Sequence, residues 1–154
     1  LPSERRDLFQ RGIEHVDRAL ENLYSSGTGP RVLHYDLHQW NIKVFREKLY
    51  PFDFEDLMWG YPVQDIAISL YYYQGHEQYP ALREAFRQGY VQYGEWPERY
   101  AGEIDAFIMG RALELSNFVL QDPNPDWQRE APSFIELTER RLRGLLETNG
   151  AVQA

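Results

Sequence analysis

Between Asn41 and Asp53 the chain reads as turning back on itself, and that reversal constrains what can be built around it. Ile42-Lys-Val44-Phe45 and Leu49-Tyr-Pro51-Phe52 alternate roughly between apolar and polar side chains and flank the polar turn Arg46-Glu47-Lys48, which is the pattern of a β-hairpin. An antiparallel hairpin returns the residue after its second strand to the residue before its first, so Asn41 and Asp53 are expected side by side. The amide oxygen of one and the carboxylate of the other are hard donors of the kind magnesium prefers, with substrate phosphates and water completing the octahedron. Just upstream lies His34-Tyr-Asp36-Leu-x-x-x-Asn41. A carboxylate at Asp36, held on a fixed loop, can accept the proton of an attacking hydroxyl, and a buried His34 would fix that loop.

Two other readings of these residues stay open at this point. His34 and Asp36 could form a satisfied buried pair beside a strand. Alternatively, His34-x-Asp36-x-His38 alternates, so on a strand all three side chains would face one way and could bind zinc, as in a metal-dependent hydrolase. That second reading leaves Asn41 and Asp53 without a task.

The rest of the chain sets bounds. Its 154 residues are enough for one domain with its own core, and 43% hydrophobic with 15% aromatic residues argues against disorder. No apolar run approaches the roughly 18–20 residues that span a bilayer. The first residues, Leu1-Pro-Ser-Glu-Arg-Arg, lack the apolar stretch of a signal peptide. Without cysteine there are no disulfides and no cysteine-zinc sites. The excess of 24 acidic over 16 basic residues, net charge −8, disfavours nucleic acid or anionic membrane as partner and would suit a cationic substrate.

Helical spacing governs most of what remains. Leu8, Ile13, Val16, Leu20 and Leu23 predict a helix over Ser3 to Tyr24, with Ser3 as N-cap and Gly27-Thr-Gly29-Pro30 as the stop. After Asp53 the pattern is helix throughout: about Val63 to Tyr73, Ala81 to Tyr93, Pro97 to Leu120 and Pro132 to Glu147, with turn signals at Gln74-Gly75, Tyr93-Gly94 and Asp122-Pro-Asn-Pro125-Asp126. Thr148 to Ala154 is expected as a frayed tail. The fold class is therefore α+β, predominantly α-helical, with a small β-hairpin at the catalytic site. Tyr71, Tyr72, Tyr73, Trp96, Tyr100, Phe107 and Phe118 are assigned mainly to the core, whereas Trp40 and Trp59 flank the site and could meet substrate or a partner domain. Asp105, Arg111 and Glu114 could form a buried ion network or a substrate-facing polar stripe, but read first as a solvated face with local pairs, and His15 and His76 read as surface residues.

The order of the site residues follows the phosphoryl-transfer template H-R-D-L-x-x-x-N then D-F-G. At these residues the chain resembles the aminoglycoside phosphotransferase and choline kinase-like family, the small-molecule branch of the protein kinase-like fold. That family writes H-G-D-L-H-x-x-N, a hairpin, D-F-E/D-D and then G-x-x-x-x-D-L-A; the last two read here as Asp53-Phe-Glu-Asp56 and Gly60-Tyr-Pro-Val-Gln-Asp65-Ile-Ala67. The resemblance implies a cytoplasmic phosphotransferase that moves a phosphate from ATP to a small-molecule hydroxyl with Mg2+. By it Asp36 is the catalytic base, Asn41 and Asp53 are the magnesium ligands, and His38 joins them on the cofactor side. Asp65 then anchors the catalytic loop from the start of the next helix, with His34 in support.

Two departures from the family pattern matter. Tyr35 stands where the family usually has Gly, a strained choice if the position needs a positive φ. The thirty-three residues before His34 hold no G-x-G-x-x-G loop and no strand lysine. The resemblance thus implies that residues 1–154 correspond to the C-terminal, substrate-side lobe, with the nucleotide lobe absent and the isolated chain a poor catalyst. A non-catalytic kinase-like scaffold is the alternative. A face lined by Leu37, Trp40, Phe52 and Phe54, beside Asp53, Glu55 and Asp56, would then be uncovered and is expected to form a homodimer.

Overall fold

The computed structural model of the chain describes residues 3–152. In order, the elements are α1 (Ser3–Tyr24), β1 (Arg31–Leu33), a single 3-10 turn (Gln39–Asn41), β2 (Ile42–Phe45), β3 (Lys48–Pro51), β4 (Met58–Gly60), α2 (Pro62–Tyr71), α3 (Tyr79–Tyr90), α4 (Glu103–Gln121) and α5 (Pro125–Val152). They form two compact units, one of Leu1–Thr28 with Asp105–Ala154, the other of Gly29–Ile104. The result is the mainly helical α+β chain that the pattern predicts. No described helix is long and apolar enough to cross a membrane.

The first unit is built from α1, nearly all of α4, and α5. Leu8, Met109 and Leu142 are buried together, with Phe9, Val16, Leu113, Leu145 and Leu146 packed round them. Gly12 allows this closeness, because a Cβ at that position would sit 3.2 Å from Leu142 Cδ2. The buried face of α1 is Leu8, Gly12, Ala19 and Leu23, while Ile13, expected in the apolar stripe, is exposed. Two polar features are satisfied within the packing: Ser116 Oγ lies 3.0 Å from Thr138 Oγ1, both residues buried, and Arg5 pairs with Glu139 at 2.8 Å. His15 is half-buried rather than on the surface, and burial, then the Arg18 charge, lowers its pKa.

Several boundaries move from their sequence positions for identifiable reasons. α5 begins at Pro125, not Pro132, since the Asn124 side chain accepts the Asp126 N–H at 2.9 Å; Asn then Pro is an N-cap followed by a first-turn proline. Pro132 sits inside the helix, exposed. The helix continues through Val152, into the segment expected to fray, and Gln153 and Ala154 lie outside the described residues. α4 starts at Glu103 rather than Pro97, just after Gly102 at φ 88°. There the fully buried Glu103 carboxylate accepts the Arg99 backbone N–H at 2.7 Å and its Nε at 2.8 Å, so the preceding loop is held by an ion pair instead of helical bonds. Arg111 does pair locally with Glu114 at 3.0 Å, but its side chain is only 10% exposed. Tyr100 and Phe118 are exposed, whereas Tyr71 and Phe107 are core.

The second unit carries the β structure. β2 and β3 pair antiparallel, Ile42 opposite Pro51 and Phe45 opposite Lys48. The turn is two residues, Arg46 and Glu47 at φ 49° and 61°, shorter than the expected three; paired positive φ values match the twist of the strands. β4 was not expected at all, and it pairs antiparallel with β1, Arg31 opposite Gly60 and Leu33 opposite Met58. Gly60 leaves room for the Leu33 side chain there, because a Cβ would fall 2.6 Å from Leu33 Cδ1 and force that side chain to shift. The chain then enters α2 through Tyr61, whose N–H is capped by Gln64 Oε1 at 2.9 Å, and buries Val63, Ile66, Ala67, Ile68, Ser69, Leu70 and Tyr71.

Candidate active site

All the sequence-selected residues lie in the second unit, on the loop after β1, at the two ends of the hairpin, and on α2. β1 stops at Leu33, and the loop turns sharply at Tyr35, whose φ is 61°. A left-handed conformation costs a bulky L-residue roughly 1–2 kcal/mol. Asp65, in the first turn of α2, holds it in place: its Oδ2 accepts the His34 N–H at 3.0 Å and its Oδ1 the Tyr35 N–H at 2.8 Å. Hydrogen bonds to a charged acceptor are worth about 1.5–3 kcal/mol each, enough to offset the strain.

One face of α2 supplies further supports that the sequence did not announce. Ser69 Oγ donates to the Leu37 carbonyl at 2.6 Å. Tyr72, at the helix C-cap, sets its ring against His38 with centroids 4.7 Å apart and against Trp40 at 5.5 Å. Asp65, Ser69 and Tyr72 are spaced by four and three residues, which puts them on one helical face. That spacing was the available signal.

His34 is buried, and its Nε2 lies 3.0 Å from the Phe52 carbonyl oxygen. A carbonyl only accepts, so Nε2 carries the proton; Nδ1 is buried without a hydrogen-bond partner. The ring also packs on Phe54 at 4.9 Å. His34 thus ties the loop to the far end of the hairpin and is not paired with Asp36. The strand alternation that would make His34, Asp36 and His38 zinc ligands does not occur, because the loop reverses at Tyr35 and His34 is engaged with Phe52. Among the described residues no group of three or more His, Cys, Asp or Glu is placed to hold a metal ion.

Asp36 and Asn41 meet directly. Asn41, buried, donates from Nδ2 to Asp36 Oδ2 at 2.9 Å and to the Asp36 carbonyl at 3.0 Å. His38 Nε2 stands 3.2 Å from the same Oδ2, so this histidine faces Asp36. The Asn41 carbonyl oxygen accepts the Phe52 N–H at 3.0 Å, which brings Asp53, the next residue, beside it at the hairpin's end. Asp53 is exposed and has φ 66°, a conformation Asp tolerates better than most residues.

The donor set fits magnesium. Asn41 commits its amide nitrogen to Asp36, which orients Oδ1 as the remaining hard donor, and Asp53 presents a carboxylate; two protein oxygens suit an ion that keeps water and phosphate ligands. Trp40, beside His38, is 65% exposed, Phe54, beside His34, is exposed as well, and so are Val44, Phe45 and Leu49 farther along the hairpin.

The phosphotransferase enzyme family (APH) matches residues 1–101, and the chain belongs to that family. Amicoumacin kinase of Bacillus subtilis (strain 168) is 26% identical over 151 residues, covering 95% of this chain and 38% of that protein. The solved structure of amicoumacin kinase hAmiN in complex with AMP-PNP, Ca2+ and Ami shares the fold, with TM-score 0.65 and 22% identity over 92% of this chain and 46% of its own. The chain spans less than half the length of these relatives.

Proposed function

We propose that this chain is the substrate-side catalytic lobe of an ATP-dependent small-molecule kinase, transferring the γ-phosphate to a hydroxyl. The observation that carries this is the Asp36 carboxylate held by Asn41 at 2.9 Å on a loop whose backbone is clamped by Asp65. The share of its relatives that the chain covers supports the reading as one lobe. The hydroxyl oxygen of the substrate bonds to the γ-phosphorus as the bond to the β–γ bridging oxygen breaks. Asp36 takes the hydroxyl proton, and ADP departs with the bridging electrons. A fixed general base contributes about 10²–10⁴ in rate; the rest is positioning and electrostatic stabilisation. Asn41 and Asp53 would hold magnesium, which supplies neutralisation of the phosphate charge when bound. ATP as donor favours a cytoplasmic setting.

The substrate we infer is a small hydroxyl compound carrying positive charge, in keeping with the net charge of −8 and the exposed Trp40 ring at the rim of the site, since a cation over an aromatic face gains about 0.5–2 kcal/mol. Amicoumacin is the first compound to try, given the named relatives. With no glycine-rich loop in its sequence, the chain should bind magnesium ATP only weakly, on the order of −5 kcal/mol or less favourably, so transfer is assayed at millimolar nucleotide. Phosphate transfer that Asp36→Asn lowers about a hundredfold or more is the expected result. Transfer undiminished by the substitution would remove Asp36 as the base.

A further inference from the structure

His38 is assigned no role by the transfer step above, yet its imidazole is fixed on both sides. Nδ1 lies 3.2 Å from the Trp40 backbone nitrogen. An amide N–H can only donate, so Nδ1 must be the accepting, unprotonated nitrogen. The neutral ring then carries its proton on Nε2, the atom 3.2 Å from Asp36 Oδ2. Tyr72 and Trp40 restrain the ring further, with centroids 4.7 Å and 5.3 Å from it. Asp36 Oδ2 therefore has two nitrogens beside it, Asn41 Nδ2 donating at 2.9 Å and His38 Nε2 in contact at 3.2 Å. One hydrogen bond and one close imidazole contact on the same oxygen restrict the rotation of the carboxyl group and hence where its other oxygen points.

We propose that His38 is a positioning residue for Asp36: the Trp40 N–H selects the Nε2–H tautomer, and that proton locks the carboxylate in the orientation needed to receive the substrate proton. The inference rests on Asp36 being the general base. A purely structural reading exists, since His38 is also the N-cap of the 3-10 turn at Gln39–Asn41. Two substitutions separate the roles. In His38→Asn the side-chain oxygen can still cap the Trp40 N–H, as Asn does at N-caps, but the side chain is too short to reach Asp36. In His38→Gln the terminal amide extends to the Nε2 position and can donate to Asp36, while the cap is lost.

The contact itself is read on this chain by long-range 1H–15N correlation of the imidazole. We expect an Nε2–H tautomer at His38 whose Nε2 signals move in Asp36→Ala; signals unmoved by that substitution would overturn the contact and the proposal with it. In the phosphate-transfer assay described above, His38→Asn should lower kcat about tenfold or more with KM nearly unchanged, and His38→Gln should recover most of the loss. If His38→Asn matches the parent while Asp36→Asn loses activity as expected, the histidine is only a cap and the proposal fails alone. If Asp36→Asn retains full activity, the base assignment fails instead.

Discussion

The helical unit and the loop-and-hairpin unit obey different rules. In the first, Leu8, Met109 and Leu142 are buried against one another, and the buried hydroxyls of Ser116 and Thr138 satisfy each other. In the second, apolar side chains along the hairpin are open to solvent. Every described non-glycine residue at positive φ also belongs to it: Tyr35, Arg46, Glu47 and Asp53. Strained backbone persists only where the surroundings over-determine it, and it gathers at functional sites. Both units have buried apolar side chains, Leu8 and Leu142 in the first and Val63, Ile66 and Leu70 in the second, but the strained backbone among the described residues is confined to the second.

That division can be tested by substitutions that should act on one property and spare the other. The largest effect is expected from Leu142→Ala, which empties a fully buried position and should cost about 2–5 kcal/mol of stability, read from a denaturant midpoint; the folded molecules should keep their kcat. Asp36→Asn should do the reverse, lowering kcat about a hundredfold or more, roughly 2.7 kcal/mol in barrier, with the melting temperature nearly unchanged. If either variant moved both quantities strongly, the two regions would be energetically one. Asp65→Ala falls between, because it leaves the His34 and Tyr35 N–H groups without their acceptor. A loss of about 1–3 kcal/mol is expected in thermal unfolding, together with reduced activity. Unchanged melting would mean that water replaces the carboxylate. The smallest effect belongs to Tyr35→Gly, which relieves the strain at φ 61° but adds chain entropy to the unfolded state. A net gain of about 1 kcal/mol or less is expected, and destabilisation would show that the Tyr35 side chain contributes more than its backbone costs.

Much of this organisation was legible in the sequence. The hairpin was readable from alternation, and so was the return of the chain to Asn41. α1 was readable from its apolar spacing and the Gly27 stop, although its buried face shifts to Gly12 and Ala19, small residues that carry little signal on a hydrophobicity pattern. β4 was hidden because three residues, Met58–Gly60, are too few to show a period. The start of α5 was hidden by its own cap: Asp122-Pro-Asn-Pro125 reads as a turn, and the same Asn124 and Pro125 open the helix. Ser69 and Tyr72 were read as ordinary helix and core residues, since their spacing from Asp65 marks a shared helical face but not the distant loop that this face clasps. The zinc reading failed for a related reason, as alternation implies a common direction only in extended backbone and Tyr35 is not extended.

The hairpin's register has a consequence for how this site can vary. Because Asn41 is bound to Phe52 across the base of the ladder and the strands pair residue for residue out to Phe45 and Lys48, the segment between works as an adjustable spacer. Residues added in matched pairs at the tip would lengthen both arms without displacing either end, and loop-closure entropy rises only slowly with length. One residue added to a single arm would instead flip the facing of that strand and pull Asp53 out of line with Asn41. Insertions shared equally between the two arms are therefore expected to spare the site, and unpaired ones to break it.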